Sequence, residues 1–294
     1  MKIIQSFAHF DNYFGNELLQ GTEKYLRFYT FLYSYLTLKK YYDSVTMYCN
    51  QKAYDLYIKY IPYDDIIIKE NTNDYMYWNA YKLDVIADQT ENFIHVDSDV
   101  FIFDDLFISN FNEYDIIVQK IIPDNELFIQ IKNYVSNNLY FYNNITNLYD
   151  NGCLACGVVG MSMNVKNEYL KDYNKIYNGF KNNEISLTGI EIFRAMILEE
   201  LTLYLTSLRN NYKVYDLTTK NENFIHLGGE SKFTKNNINY IKNEIKNNFS
   251  NDYHLINTYE EIISDIDIFC YAESAYEKCV FNKSYEYSKE FILV

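Results

Sequence analysis

Apolar residues recur along the first third of the chain with two alternating periods, which predicts strands interleaved with helices. Lys2 to Phe7 is a short apolar run and reads as a strand. Glu23 to Tyr41 is long, periodic and unbroken by Gly or Pro, which predicts a helix. A strand pattern returns from Ser44 to Cys49 and a helical one from Gln51 to Tyr60. Asp65 to Lys69 carries the buried-strand run Ile66-Ile67-Ile68. Trp78 to Asp88 is helical again, and Asn92 to Val96 is a strand that runs into an acidic cluster. Strands alternating with helices of this length indicate a mainly parallel sheet covered on both faces.

The second half is less regular. Tyr114 to Gln119 reads as a strand, residues 121 to 151 give mixed signals, and Leu154 to Met163 is an apolar, Gly-punctuated central strand. Helices are expected over Val165 to Phe180 and Thr188 to Leu208, then short strands around Val214 and from Asn223 to Leu227. From Lys235 to Phe249, Ile238, Ile241, Ile245 and Phe249 fall at helical spacing, so one apolar stripe packs back onto the domain. The remaining tail reads as helical.

Composition narrows the function classes. The chain has 294 residues, 48% of them hydrophobic, enough for a sizeable core. Forty acidic against 26 basic residues give a formal charge of −14. That balance disfavours nucleic acid, whose binding needs basic patches to displace counterions, and docking on an anionic membrane surface. Peripheral contact with other membranes stays open. The 33 Tyr and 20 Phe are spread along the whole chain and fit an A/T-rich coding composition better than a sugar-binding surface. Five cysteines form no disulfide framework in a chain this long. No basic stretch followed by a long apolar run opens the sequence, and no run approaches the roughly 20 residues that span a bilayer. The expectation is a cytoplasmic protein without a transmembrane segment.

The most informative stretch is Phe93-Ile94-His95-Val96-Asp97-Ser98-Asp99-Val100-Phe101. Two carboxylates two residues apart at a strand end project to one side, because side chains alternate. Buried together they need a cation or a proton, and apolar flanks place them inside. Ligands of open α/β sheets bind at the carboxyl ends of the strands. Oxygen ligands suit Mg²⁺ or Mn²⁺, which bridge carboxylates to a substrate diphosphate. Alone, the triplet also fits an inert, solvated turn. Near the other end stands Phe224-Ile225-His226-Leu227-Gly228-Gly229-Glu230-Ser231-Lys232. Its imidazole is a candidate metal ligand. The adjacent glycines let backbone N–H groups approach a phosphate, and the lysine adds a point charge. A core histidine beside a Gly-Gly turn is the plainer alternative. Cys153-Leu154-Ala155-Cys156 lacks the second pair a zinc site wants, so both cysteines are expected in the core.

The Asp-x-Asp and His-x-x-Gly-x-x-Lys segments together resemble the glycogenin-like (family 8-like) retaining glycosyltransferases of the GT-A fold. In that family the two acids and the histidine hold Mn²⁺ against a nucleotide-sugar diphosphate, and the lysine contacts the phosphates. Carried over, the resemblance implies Asp97, Asp99 and His226 as metal ligands, and Gly228, Gly229 and Lys232 at the diphosphate. Tyr81-Lys82-Leu83 resembles the family's basic residue that reaches the donor. Leu154-Ala155-Cys156-Gly157-Val158 looks like its Asn-x-Gly-Val strand. Glu199 and Glu200 sit where it has an Asp-Gln pair beside the reacting sugar, and are the candidate catalytic residues; a solvated helix face is their plainer reading. Phe233-Thr234 replaces the family's Pro-Trp, Ala155 its Asn, and Glu200 an amide, so the donor wall, the donor sugar and the stereochemical course can differ.

The resemblance implies an α/β, GT-A type protein with a Rossmann-like, mixed but mainly parallel sheet flanked by helices. Residues 1–235 would form the nucleotide-sugar-binding and catalytic domain, and 236–294 a helical C-terminal extension packed on it. The implied activity is Mn²⁺- or Mg²⁺-dependent transfer of a hexose from a nucleotide-diphosphate sugar, UDP-sugar favoured, to a glycan or other hydroxyl acceptor. Two rivals are a haloacid-dehalogenase-type phosphatase using Asp97 and Asp99, and a non-catalytic pseudo-transferase that binds glycans or a partner.

Overall fold

Among the described residues, nine strands carry the architecture: β1 (Lys2–Phe7), β2 (Val45–Cys49), β3 (Asp65–Ile68), β4 (Phe93–Val96), β5 (Val100–Ile102), β6 (Ile116–Ile122), β7 (Cys153–Met161), β8 (Val214–Asp216) and β9 (Phe224–His226). The structure is a computed structural model that describes residues 2–9, 20–70, 79–105, 113–122, 153–182, 196–219, 224–227 and 235–264. Seven strands form one sheet in the order β3-β2-β1-β4-β7-β6-β8, and β5 pairs with β9 in a separate two-stranded sheet. Only β7 runs against the rest of the large sheet: it is antiparallel to both β4 and β6, while the other neighbours are parallel. The mainly parallel sheet expected from the alternation is present, with the mixed, Rossmann-like order that the resemblance implies.

Helices cover both faces: α1 (Gln20–Lys39), α2 (Gln51–Leu56), α3 (Ala80–Asp88), α4 (Met163–Lys181), α5 (Thr202–Asn210), α6 (Lys235–Asn248) and α7 (Tyr253–Ser264). Period-two alternation splits each central strand between two cores. Ile4, Phe93 and Ile116 face a cluster closed by α3, α4 and α5. Ile3, Ile94 and Ile117 face one closed by α1, α2, α6 and α7. From Phe28 to Leu38 helix α1 is buried all round, because the sheet lies on one side and the last two helices on the other. Ile241, Ile245, Ile256 and Tyr259 are at most 1% exposed, each stabilising that attachment by about 1.5–3 kcal/mol. Tyr259 stacks on Phe28 with ring centroids 3.8 Å apart.

Local chemistry sets the boundaries. Asn50 caps α2, its Oδ1 accepting from Ala53 N at 2.9 Å. The expected helix from Gln51 to Tyr60 breaks after Leu56 into a 3₁₀ turn, Ile58–Tyr60. The expected central strand stops at Met161 because Ser162 caps α4. The later helix is interrupted: Ile197–Leu201 is a π turn, and the Thr202 hydroxyl donates to the Ile197 carbonyl at 2.6 Å. Trp78, residues 123–152 and 183–195, and the tail from 265 lie outside the described residues. Among the described residues no helix is long and apolar enough to cross a membrane.

Candidate functional site

The two acids reach one place through a turn rather than through strand alternation. Val100 N donates to Asp97 O at 3.0 Å, so Asp97-Ser98-Asp99-Val100 is a hydrogen-bonded β-turn between β4 and β5. Sequence reasoning treated Val100-Phe101-Ile102 as an apolar flank and missed that it is a strand, a three-residue run being too short to show a period. That strand is decisive. It pairs antiparallel with β9 in the register Val100↔His226, Phe101↔Ile225, Ile102↔Phe224, and Leu227 N extends the ladder to Asp99 O at 3.0 Å. The pairing delivers His226 to the acids, with Nε2 3.5 Å from Asp99 Oδ1.

The other edge of β5 is satisfied by α1. Ser34 Oγ donates to Val100 O at 2.6 Å, and Ile102 N donates to Thr37 Oγ1 at 3.2 Å. Gln5 Nε2 donates to Ser34 Oγ at 2.8 Å, and Tyr63 OH donates to Gln5 Oε1 at 2.9 Å. A fully paired buried polar chain of this kind resists rearrangement, so the acidic turn sits on a rigid base.

Asp97, Asp99 and His226 each offer one ligand atom, and the three atoms all lie within 4.8 Å of one another. An octahedral cation with bonds of about 2.1 Å places neighbouring ligand atoms about 3.0 Å apart and opposite ones about 4.2 Å apart. Small side-chain rotations bring the three donors into such a shell. Two carboxylates and one imidazole suit Mn²⁺ and, less closely, Mg²⁺. The donor set fits the expected group.

Gly157 makes room for the histidine. A Cβ at this position would stand 2.8 Å from both Nδ1 and Cε1 of His226 and 2.2 Å from Gln119 Oε1. Any side chain here would push the imidazole away. A glycine inside a strand marks a close approach, and that signal was readable in the sequence.

Lys82 stands behind the acids. Its Nζ is 2.8 Å from Asp97 Oδ1, 2.6 Å from Glu199 Oε1 and 2.6 Å from Cys156 O, to which it donates. Burial works against the ammonium, but Asp97 and Glu199 outweigh it and raise its pKa well above the usual lysine range. Burial pushes the Asp97 carboxyl up, Lys82 pulls against that, and Glu199 and Asp99 add to it. Asn79 Nδ2 donates to Glu199 Oε2 at 3.4 Å. Glu199 is 4% exposed, so the solvated-face alternative fails for it. Glu200, next in the π turn, points elsewhere: Cys153 Sγ lies 3.6 Å from its Oε2. Burial, then the Glu199 charge, lifts its carboxyl to about 8. π turns occur often at functional sites because they re-aim side chains; this one sends adjacent acids to different partners.

His95, which carried no assigned role, is fully buried beside the cluster. Its Nε2 shares a 2.8 Å hydrogen bond with Ser6 Oγ, and its Nδ1 is 3.5 Å from Asp97 Oδ1. Burial, then Lys82, lowers its pKa well below the ordinary value, so it is neutral at pH 7. Cys153 and Cys156 are buried in the core as expected. Gly228, Gly229 and Lys232 lie outside the described residues.

A family described as a family of unknown function, DUF6734, matches residues 1–259. No curated protein matches the chain in sequence. Among solved structures, mouse xyloside xylosyltransferase 1 in its apo form is similar with a TM-score of 0.41 and 7% identity, over 73% of this chain and 84% of that one. The inositol-1-phosphate CTP transferase from T. maritima is similar with a TM-score of 0.43 and 13% identity, over 84% and 97%. A glycosyltransferase involved in glycosylation of the major capsid of PBCV-1 gives 0.37 and 13%, over 82% and 99%. Likenesses this distant assign no activity to the chain.

Proposed function

The chain belongs to the DUF6734 family, whose description assigns no activity, and we propose that it is a metal-dependent glycosyltransferase. It moves a hexose from a nucleotide-diphosphate sugar, UDP-sugar favoured, to a glycan or other hydroxyl acceptor. One observation carries the reading: the β5–β9 pairing sets His226 Nε2 3.5 Å from Asp99 Oδ1, beside Asp97, at the carboxyl end of a sheet strand. A haloacid-dehalogenase-type phosphatase would leave His226 without a role there.

Asp97, Asp99 and His226 would hold Mn²⁺ or Mg²⁺, which when bound supplies Lewis-acid stabilisation to a departing diphosphate. Lys82 gives its three N–H donors to Asp97, Glu199 and the Cys156 carbonyl. It thereby keeps Asp97 oriented and offsets the acidic charge, and would reach a diphosphate oxygen only by giving up one of these partners. Lys232 and the amides near Gly228 and Gly229 are assigned to the remaining phosphate oxygens. Glu199, gripped by Lys82 and Asn79, would stabilise positive charge on the reacting sugar. Glu200, whose carboxyl pKa burial raises, can give a hydrogen bond to a sugar hydroxyl when protonated or take the acceptor's proton when ionised.

The test is a thermal-shift and calorimetric screen of nucleotide sugars with and without Mn²⁺. The expected result is donor binding that requires the cation, stabilising the fold through linkage. Asp99→Asn should lower donor turnover by about 100-fold or more without changing the melting temperature by more than a few degrees. Undiminished turnover in that variant would remove the assignment, and donor binding without turnover across acceptors would favour the pseudo-transferase.

A further inference from the structure

Gln119 lies in β6 where the register against β7 slips between Val118 and Lys120. A bulge of this kind turns a side chain away from the strict in-and-out alternation. Here it brings Gln119 Oε1 to 2.2 Å from the point where a Gly157 Cβ would stand, with His226 Nδ1 2.8 Å from that same point. The two atoms therefore share the space that the glycine leaves open. Gln119 Oε1 is buried and accepts no hydrogen bond, a condition that costs about 1–3 kcal/mol unless a donor relieves it.

The other side of the ring supplies the donor. His226 presents Nε2 to Asp99 Oδ1 at 3.5 Å, so Nε2 is the nitrogen that faces the cation position. A neutral imidazole with its lone pair on Nε2 carries its proton on Nδ1. Metal-binding histidines commonly give that second N–H to a fixed acceptor, which sets the tautomer and the ring plane. We infer that Gln119 is a positioning residue for the cation site: its Oε1 accepts from His226 Nδ1–H and so holds Nε2 unprotonated and aimed at Asp97 and Asp99. As the side chains stand no hydrogen bond joins them; rotation of one of them is needed to close it. The inference rests on the cation-site reading above and adds a partner to it.

The experiment reads the histidine before any metal is added. Long-range ¹H–¹⁵N spectra of the metal-free full chain report the tautomer of each of its four histidines, assigned by single replacement. The wild type is expected to show His226 protonated on Nδ1. Gln119→Leu removes the acceptor; His226 should shift towards the Nε2–H form, and Mn²⁺ affinity measured by calorimetry should fall about 10- to 100-fold. Gln119→Glu keeps an acceptor and should retain both. Gln119→Asn withdraws the oxygen by one methylene with little change of shape, and should behave like the leucine variant if that one folds poorly. An unchanged tautomer together with Mn²⁺ affinity within twofold of wild type would overturn the inference. So would a variant that loses only nucleotide-sugar binding, since Gln119 would then serve the donor. A wild type that binds no Mn²⁺ refutes the cation site itself, while the tautomer spectra still decide the hydrogen bond.

Discussion

Replacing Lys82 with methionine keeps most of the side-chain volume and removes one charge. The ammonium it deletes is bound by Asp97 at 2.8 Å, Glu199 at 2.6 Å and the Cys156 carbonyl at 2.6 Å. The lysine side chain is 7% exposed, Glu199 6% and Asp97 24%. Breaking a buried pair by removing one partner costs roughly 3–5 kcal/mol, because the remaining charge is stranded. Asp97 is wetter than Glu199, which places the expected loss near the lower end, at about 3 kcal/mol. For a chain of this length that corresponds to a fall of about 5 °C in melting temperature. The loss has a signature in pH. Lys82 pulls the Asp97 carboxyl down, so without the ammonium that group titrates higher than in wild type, and the deficit should be full at pH 8 and shrink as falling pH protonates it. Lys82→Met/Glu199→Gln should recover about half of the loss. Urea melts of the metal-free variants between pH 5 and 8 provide the assay. A deficit below about 1 kcal/mol that does not change with pH would show that the triad is loosely solvated, and the argument for it would fail.

Three further outcomes follow from the geometry. Gly157→Ala places a methyl 2.8 Å from the His226 ring, and should weaken Mn²⁺ binding about tenfold or more in calorimetry, whereas Gly160→Ala in the same strand should not. Burial holds the Glu200 carboxyl at about 8 against an ordinary value of 4.5. The folded state therefore keeps a proton that the unfolded chain releases, and wild type should lose stability as pH rises from about 4.5 to 8. Glu200→Gln lacks that slope and should be the more stable of the two at pH 8.5, by about 2 kcal/mol given the partial exposure of this residue; identical pH profiles would contradict the raised value. Ser34→Ala removes the donor to Val100 O and an acceptor for Gln5, and should cost about 1–3 kcal/mol in denaturant melts.

Much of the fold was legible because parallel strands and their covering helices have different periods. Lys2–Phe7 and the apolar stripe of Ile241 and Ile245 stand where the pattern places them. The acids and the histidine were legible as residue types, but their meeting was not. It depends on Val100–Ile102 pairing with Phe224–His226, two three-residue strands too short to carry a pattern. Asp97 and Asp99 converge through a turn, so the alternation argument reached the right residues for an incomplete reason. Lys82 and Glu199 are each ordinary helical residues in sequence, and nothing local reveals that they pair with one another on the same face of the sheet. Gln119 is aimed by a bulge, which arises from how two distant strands register.

The most direct measurement is anomalous diffraction from crystals grown with Mn²⁺. The account predicts one strong peak about 2.1–2.3 Å from carboxylate oxygens of Asp97 and Asp99 and from Nε2 of His226, lost in Asp99→Asn. A well-ordered site with no peak, or with the peak elsewhere on the chain, would contradict it.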